Sequence, residues 1–132
     1  MENKPKCITD TNGNKYWYLN DKLHREDGPA VEIADGSKRW CLNGETHRED
    51  CPAIMWADGT KKWYINGNQH RLDGPAIISS HGYNEWYNEW YINDHFVTKE
   101  ITQWAKENDI DLDNLTDVDK ALIKLTWADY GK

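Results

Sequence analysis

One motif, written three times at a spacing of 23 residues, limits what this chain can fold into more than any other property it has. The stretch Gly13-Asn-Lys-Tyr-Trp-Tyr-Leu-Asn-Asp-Lys-Leu-His-Arg-Glu-Asp-Gly-Pro-Ala returns from Gly36 and from Gly59, and an altered fourth copy starts at Gly82. A period in this range belongs to repeat arrays, in which a small supersecondary unit buries its apolar face only by stacking on its neighbours. Arrays of this kind bind far more often than they catalyse.

Each copy opens on a turn. Asn12-Gly13, Asp35-Gly36 and Asp58-Gly59 predict two-residue type I′ hairpins, with His81-Gly82 a weaker version. A forward strand follows over 15–20, 38–43 and 61–66. Alternation puts Trp17 with Leu19, Trp40 with Leu42 and Trp63 with Ile65 on one face, and Tyr18, Cys41 and Tyr64 on the other. A second turn stands at Asn20-Asp21, Asn43-Gly44 and Asn66-Gly67. The returning arm carries His-Arg-x-Asp and then a proline, Pro29, Pro52 or Pro75, which demands a bend because it cannot donate to a ladder. Its apolar positions are Val31/Ile33, Ile54/Trp56 and Ile77. Residues 6–11 read as the second half of a truncated unit.

These units predict a meander of about eight antiparallel strands, with equivalent residues two strands or ~9.5 Å apart. Trp17, Trp40, Trp63 and Trp86 or Trp90 then form a ladder, interleaved with the Val and Ile of the returning strands. In the fourth copy Tyr83-Asn-Glu-Trp86 is followed at once by Tyr87-Asn-Glu-Trp90. An even insertion preserves the in/out alternation. No His-Arg follows Trp90, and the period changes. Ile101, Trp104 and Ala105 predict one helix with Thr98 as N-cap. Thr116-Asp-Val-Asp119 is a capping box, and Val118, Ala121, Leu122 and Leu125 then predict the buried stripe of a second helix. The expected fold is mainly β with α at the C-terminus: a hairpin array over 1–97, and over 98–132 a helical cap or docking element covering the exposed strand edge.

The order Trp-x-x-Asn-Gly-x-x-His, a glycine four or five residues on and Asp-Gly closing the period resembles the MORN repeat. The variant with His-Arg-Glu-Asp-Gly-Pro-Ala is one associated with tailed phages and giant viruses. It stands intact at 24–30, with Leu72 for Glu at 70–76, and with Cys51 for Gly at 47–53. The resemblance covers about residues 6–95. It implies stacked β-hairpins and a role in partner binding or scaffolding, and its viral variant implies a phage protein acting on host machinery, defence systems included.

Composition narrows the classes. Sixteen aromatics, eight of them Trp, argue against disorder despite a mean hydropathy of −0.97. A net charge of −7 disfavours non-specific nucleic-acid binding. No apolar run is long enough for a membrane span, and the first residues lack a signal-peptide core. Cys7, Cys41 and Cys51 are odd in number with no C-x-x-C pair, so the expectation is a reduced, cytoplasmic protein, in the host cytoplasm if phage-encoded.

Three constellations invite a functional reading. His24, His47 and His70 with Arg25, Arg48 and Arg71 form rows that either satisfy backbone around the proline bends or hold the phosphates of a nucleotide-like ligand. Three in-line histidines ~9.5 Å apart cannot share one zinc ion, so no metal or other cofactor is expected. Tyr18, Tyr64, Tyr87 and Tyr91 form a stripe of the kind that protein-binding surfaces present. Acidic residues from Glu100 to Asp119 make a patch that is either solvated or faces a basic partner. No catalytic triad, phosphate loop or carboxylate dyad stands out. The reading is a non-enzymatic module that binds and inhibits or redirects a host protein, ahead of a nucleotide-like ligand sponge and a virion structural component.

Overall fold

Alternating apolar residues between closely spaced turns fold into an antiparallel meander of short strands, followed by two helices, in the computed structural model, which describes residues 4–80 and 86–132. The chain divides into two compact units, Met1–Asn68 and Gln69–Lys132. The expected His81-Gly82 turn and the side chain of Trp86 lie outside the described residues.

In the first unit Lys6–Thr9 pairs with Lys15–Leu19, and the order continues through Val31–Glu32, Lys38–Arg39, Ile54–Met55 and Lys61–Lys62. Each returning strand therefore joins its own forward strand to that of the next repeat. In the second repeat the forward strand is not continuous. It divides at the tryptophan: Lys38–Arg39 stays in the meander, while Cys41–Leu42 pairs with Glu45–Thr46 as a separate hairpin. The backbone of Trp40 serves both parts. Its N–H donates to Ala53 O at 2.7 Å, and its carbonyl accepts from His47 N–H at 3.0 Å.

The turn assignment needs correction. At Asn12-Gly13, Asp35-Gly36 and Asp58-Gly59 only the glycine has positive φ, +86°, +98° and +96°. Gly36 N–H donates to Ile33 O and Ile33 N–H to Ser37 O, both at 2.9 Å, which is a three-residue loop closed by a left-handed glycine. Asp35 favours it by accepting from Ser37 N–H at 2.8 Å, an Asx turn that the two-residue loop does not offer. The turns with both central residues at positive φ are Asn20-Asp21, Asn43-Gly44, Asn66-Gly67 and Asn93-Asp94.

The tryptophans also face different neighbours from those expected. Register pairs Val31 with Tyr16 and with Arg39, so the β-branched residues share the tyrosine face. Trp17 N–H bonds Ala30 O at 2.8 Å, and the residues opposite Trp17 and Trp40 are the fully buried Ala30 and Ala53. Pairing a strand one residue away moves every side chain to the other face. Trp17 and Trp40 end half-buried, whereas Trp63 and Trp90 are buried.

In the second unit Ile77–Ser80 pairs with Trp86–Glu89. Ile77 lies opposite Glu89, the residue before Trp90, as Ile54 lies opposite Lys62, the residue before Trp63. Trp90 is thus the equivalent of Trp63, and the four extra residues lengthen the hairpin. Helices α1 (Thr98–Glu107) and α2 (Asp117–Trp127) close a core of Trp90, Ile92, Val97, Ile101, Ile123 and Trp127.

Val97, not Thr98, is the N-cap of α1, because the Thr98 hydroxyl is already engaged by Trp90 N–H at 2.8 Å. The Thr116–Asp119 capping box is present as predicted. The predicted stripe of α2 is not its buried one. Val118 and Leu125 are 69% and 84% exposed, with Ala121 and Leu122 also outside, while Ile123 and Trp127 turn inward. Ile123 and Trp127 form an i, i+4 pair of larger area, and Trp127 meets Trp104 of α1 edge-on at 6.0 Å.

Candidate interaction surface

A type I′ turn leaves the N–H groups of its two central residues outside the hairpin. In this chain the preceding repeat takes them. His24 Nδ1 accepts from Asn43 N–H, His47 Nδ1 from Asn66 N–H and His70 Nδ1 from Asn93 N–H, each at 2.9 Å. The residue before each histidine supplies its carbonyl to the second amide: Leu23 to Gly44, Thr46 to Gly67, and Gln69 to Asp94, at 2.8–2.9 Å. The sequence offset of the histidine bond is 19, 19 and then 23 residues, so the four-residue insertion is absorbed without losing the contact.

Accepting at Nδ1 places each imidazole proton on Nε2. Nε2 faces Glu26 at 3.5 Å in His24 and Glu49 at 3.8 Å in His47. The third copy has Leu72 there. Burial, with a smaller contribution from the Lys132 charge, holds His70 below its ordinary pKa of 6.5.

The arginines are engaged as fully. Each donates from Nη1 to the carbonyl of its own bend proline: Arg25 to Pro29 at 3.1 Å, Arg48 to Pro52 at 3.2 Å and Arg71 to Pro75 at 3.0 Å. Arg25 and Arg71 pair with Asp27 and Asp73 at 3.0 and 2.9 Å. The guanidinium groups of Arg25 and Arg48 lie over Trp17 and Trp40, each 3.9 Å from the ring centre. The motif glycine leaves room for the guanidinium: a Cβ on Gly28 would stand 2.9 Å from Arg25 Cζ, and one on Gly74 2.6 Å from Arg71 Cζ. Where Cys51 replaces it, Asp50 turns to a φ of +62°, and among the described residues no Arg48–Asp50 pair forms.

Sequence reasoning missed a second inter-repeat ladder. Asn14 Oδ1 accepts from Ala34 N–H at 2.8 Å, and Ser37 Oγ accepts from Ala57 N–H at 2.9 Å. The signal was there: a polar residue follows the turn glycine in each copy, as Asn14, Ser37 and Thr60.

The tyrosines do not share one environment. Tyr18 and Tyr64 are half-buried in the first unit, and Cys41, which interrupts them, is buried with its thiol pKa raised by that burial. In the second unit Tyr87 is 53% exposed, while Tyr91 packs on Phe96 at 5.4 Å. Within the first unit the tyrosine face carries a groove of about 250 Å³ lined by Tyr16, Leu23, Val31, Ile33, Ile54 and Trp56, with Ser37, Lys38 and Arg39 completing its wall. Trp56 is 46% exposed on it.

In the acidic stretch Asp111 accepts from Asp113 N–H and Asn114 Nδ2, both at 3.0 Å, and the Asn114 bond leads in holding its carboxyl below the ordinary range. Among the described residues no cluster of His, Cys, Asp and Glu could hold a metal ion, and no helix is long and apolar enough to cross a membrane. No protein-family model, curated protein or solved structure matches the chain.

Proposed function

We propose that this chain is a non-enzymatic, MORN-like protein-binding module, phage-encoded, that binds a host protein and inhibits or redirects it, with defence-system proteins as the partner class. The reading is carried by the groove on the tyrosine face, which Tyr16, Val31, Ile33 and Ile54 line together with Trp56, itself 46% exposed. Large aromatic residues in apolar hollows are the usual anchors of protein interfaces. A ligand sponge built on the His and Arg rows has less to stand on. All three Nδ1 atoms accept from the chain itself, and Arg25, Arg48 and Arg71 each donate to their own proline carbonyl.

Affinity capture from bacterial lysate with the full chain as bait, followed by mass spectrometry, tests the proposal. A specific host protein should be retained, and Trp56→Glu should release it without shifting the unfolding midpoint. Failure to retain any protein across a salt series, or retention unaffected by Trp56→Glu, counts against it.

A further inference from the structure

Strand pairing lays one row across the tyrosine face of the first unit: Tyr16 opposite Val31, Val31 opposite Arg39, Arg39 opposite Ile54 and Ile54 opposite Lys62. Positions 16, 39 and 62 are equivalent in the 23-residue period, so the repeat sets a tyrosine first and a cation at the next two. The Trp56 groove lies on this row. Its charged lining residues are Lys38 and Arg39, and no carboxylate lines it. Arg39 also differs from the other three arginines, which donate to the carbonyls of their bend prolines. It is exposed, its Nε donates to the buried Thr46 Oγ1 at 2.8 Å beside the Cys41 thiol, and among the described residues no carboxylate pairs with it. A guanidinium tethered at Nε on the wall of an apolar hollow is placed to meet a carboxylate, and the apolar wall strengthens that contact.

Resting on the reading of this groove as the interface, we propose that the partner segment it takes is apolar and acidic together. A bulky apolar side chain seats on Tyr16, Val31, Ile54 and Trp56, and a carboxylate of the same segment meets the Arg39 guanidinium. Lys62, one strand beyond Ile54 and ~9.5 Å from Arg39, offers a second carboxylate its charge. The net charge of −7 does not oppose this locally, because Met1–Asn68 carries ten basic against eleven acidic side chains. A basic segment would set its cations against Arg39 and Lys62 with no carboxylate in the groove to offset them, so the same residues that attract one class exclude the other.

The probe is a blocked pentapeptide with leucine at its centre and a glutamate at each end, titrated into full-length isotope-labelled protein. Binding should shift the Trp56 indole and the backbone amides of Arg39 and Ile54. A peptide with lysine for both glutamates, and one with alanine for the leucine, should each bind about tenfold more weakly. This series is read on the parent protein and decides the matter even where a variant folds poorly. Arg39→Gln should weaken the glutamate peptide about tenfold and leave a neutral serine version unaffected, a split that general damage to the groove does not give. No shift at millimolar peptide, equal binding of the lysine peptide, or equal loss of both peptides in Arg39→Gln would overturn the proposal. Host-protein capture that Trp56→Glu abolishes and Arg39→Gln leaves intact would keep the interface and overturn its acidic partner. Selective binding of the glutamate peptide with no host protein captured would uphold this proposal and overturn the host-protein reading.

Discussion

The two units solve the problem of a thin β structure in different ways. In Met1–Asn68 the buried apolar residues are few and mostly small: Ala30, Val31, Cys41, Ala53 and Trp63. What repeats there is directional, namely histidine to turn amide, polar side chain to Ala amide, and arginine over tryptophan and onto proline carbonyl. In Gln69–Lys132 a contiguous cluster of Trp90, Ile92, Val97, Ile101, Ile123 and Trp127 does the work by removing area from water. Charge divides as unevenly. The first unit has ten basic against eleven acidic side chains, the second six against twelve. An array interior can depend on hydrogen bonds because each repeat presents its partner with the same geometry. In the second unit, where no His-Arg follows Trp90, burial of apolar surface takes the place of that ladder.

Substitutions at each kind of contact can break or sharpen this contrast. The largest effect is expected in the second unit: Ile123→Ala should cost about 2–5 kcal/mol in chemical denaturation, since the residue is fully buried in a packed cluster. A loss under 1 kcal/mol would mean that the cluster is loosely packed. Next comes the histidine ladder. His24→Phe leaves the Asn43 amide without its acceptor and should cost about 1–3 kcal/mol, with His24→Asn recovering part because Oδ1 can stand in for Nδ1. If Phe and Asn destabilise equally, the bond contributes little.

The same ladder should carry a pH dependence at His70. Its folded pKa lies below the ordinary 6.5, so the unfolded chain binds the proton more readily than the folded one. The contribution is present above about pH 6.5 and lost as pH falls through the interval below it. The unfolding midpoint should drop on acidification from pH 7 by more in the parent than in His70→Asn, and identical profiles would remove His70 as the cause.

Gly28→Ala should cost about 1 kcal/mol, because the added methyl displaces a guanidinium held by Asp27, Pro29 and Trp17. The Cys51 copy shows that the array survives such a change by giving up the Arg–Asp pair. The smallest effect belongs to the outer stripe of α2. Leu125→Glu should shift stability by no more than about 0.5 kcal/mol, and a larger loss would place that face against something in solution.

The 23-residue period, the Asn-Gly turns, the bend at each Pro and the Thr116 capping box were all legible, because each rests on interactions within a few residues of chain. Even the strand before the first full copy and the in-register insertion before Trp90 followed from counting. What the letters left open was which surface meets which. Asp35 could serve a two- or three-residue loop until Ser37 N–H was seen to take its carboxylate. Val31 could stand beside tryptophan or tyrosine until pairing with Tyr16 fixed the register. On α2, Leu122 and Ile123 are equally apolar, and only packing against Trp104 and Trp90 selected the second. The role of His24, His47 and His70 was hidden for the same reason. Each meets a backbone amide 19 or 23 residues away, and an amide leaves no mark in a sequence.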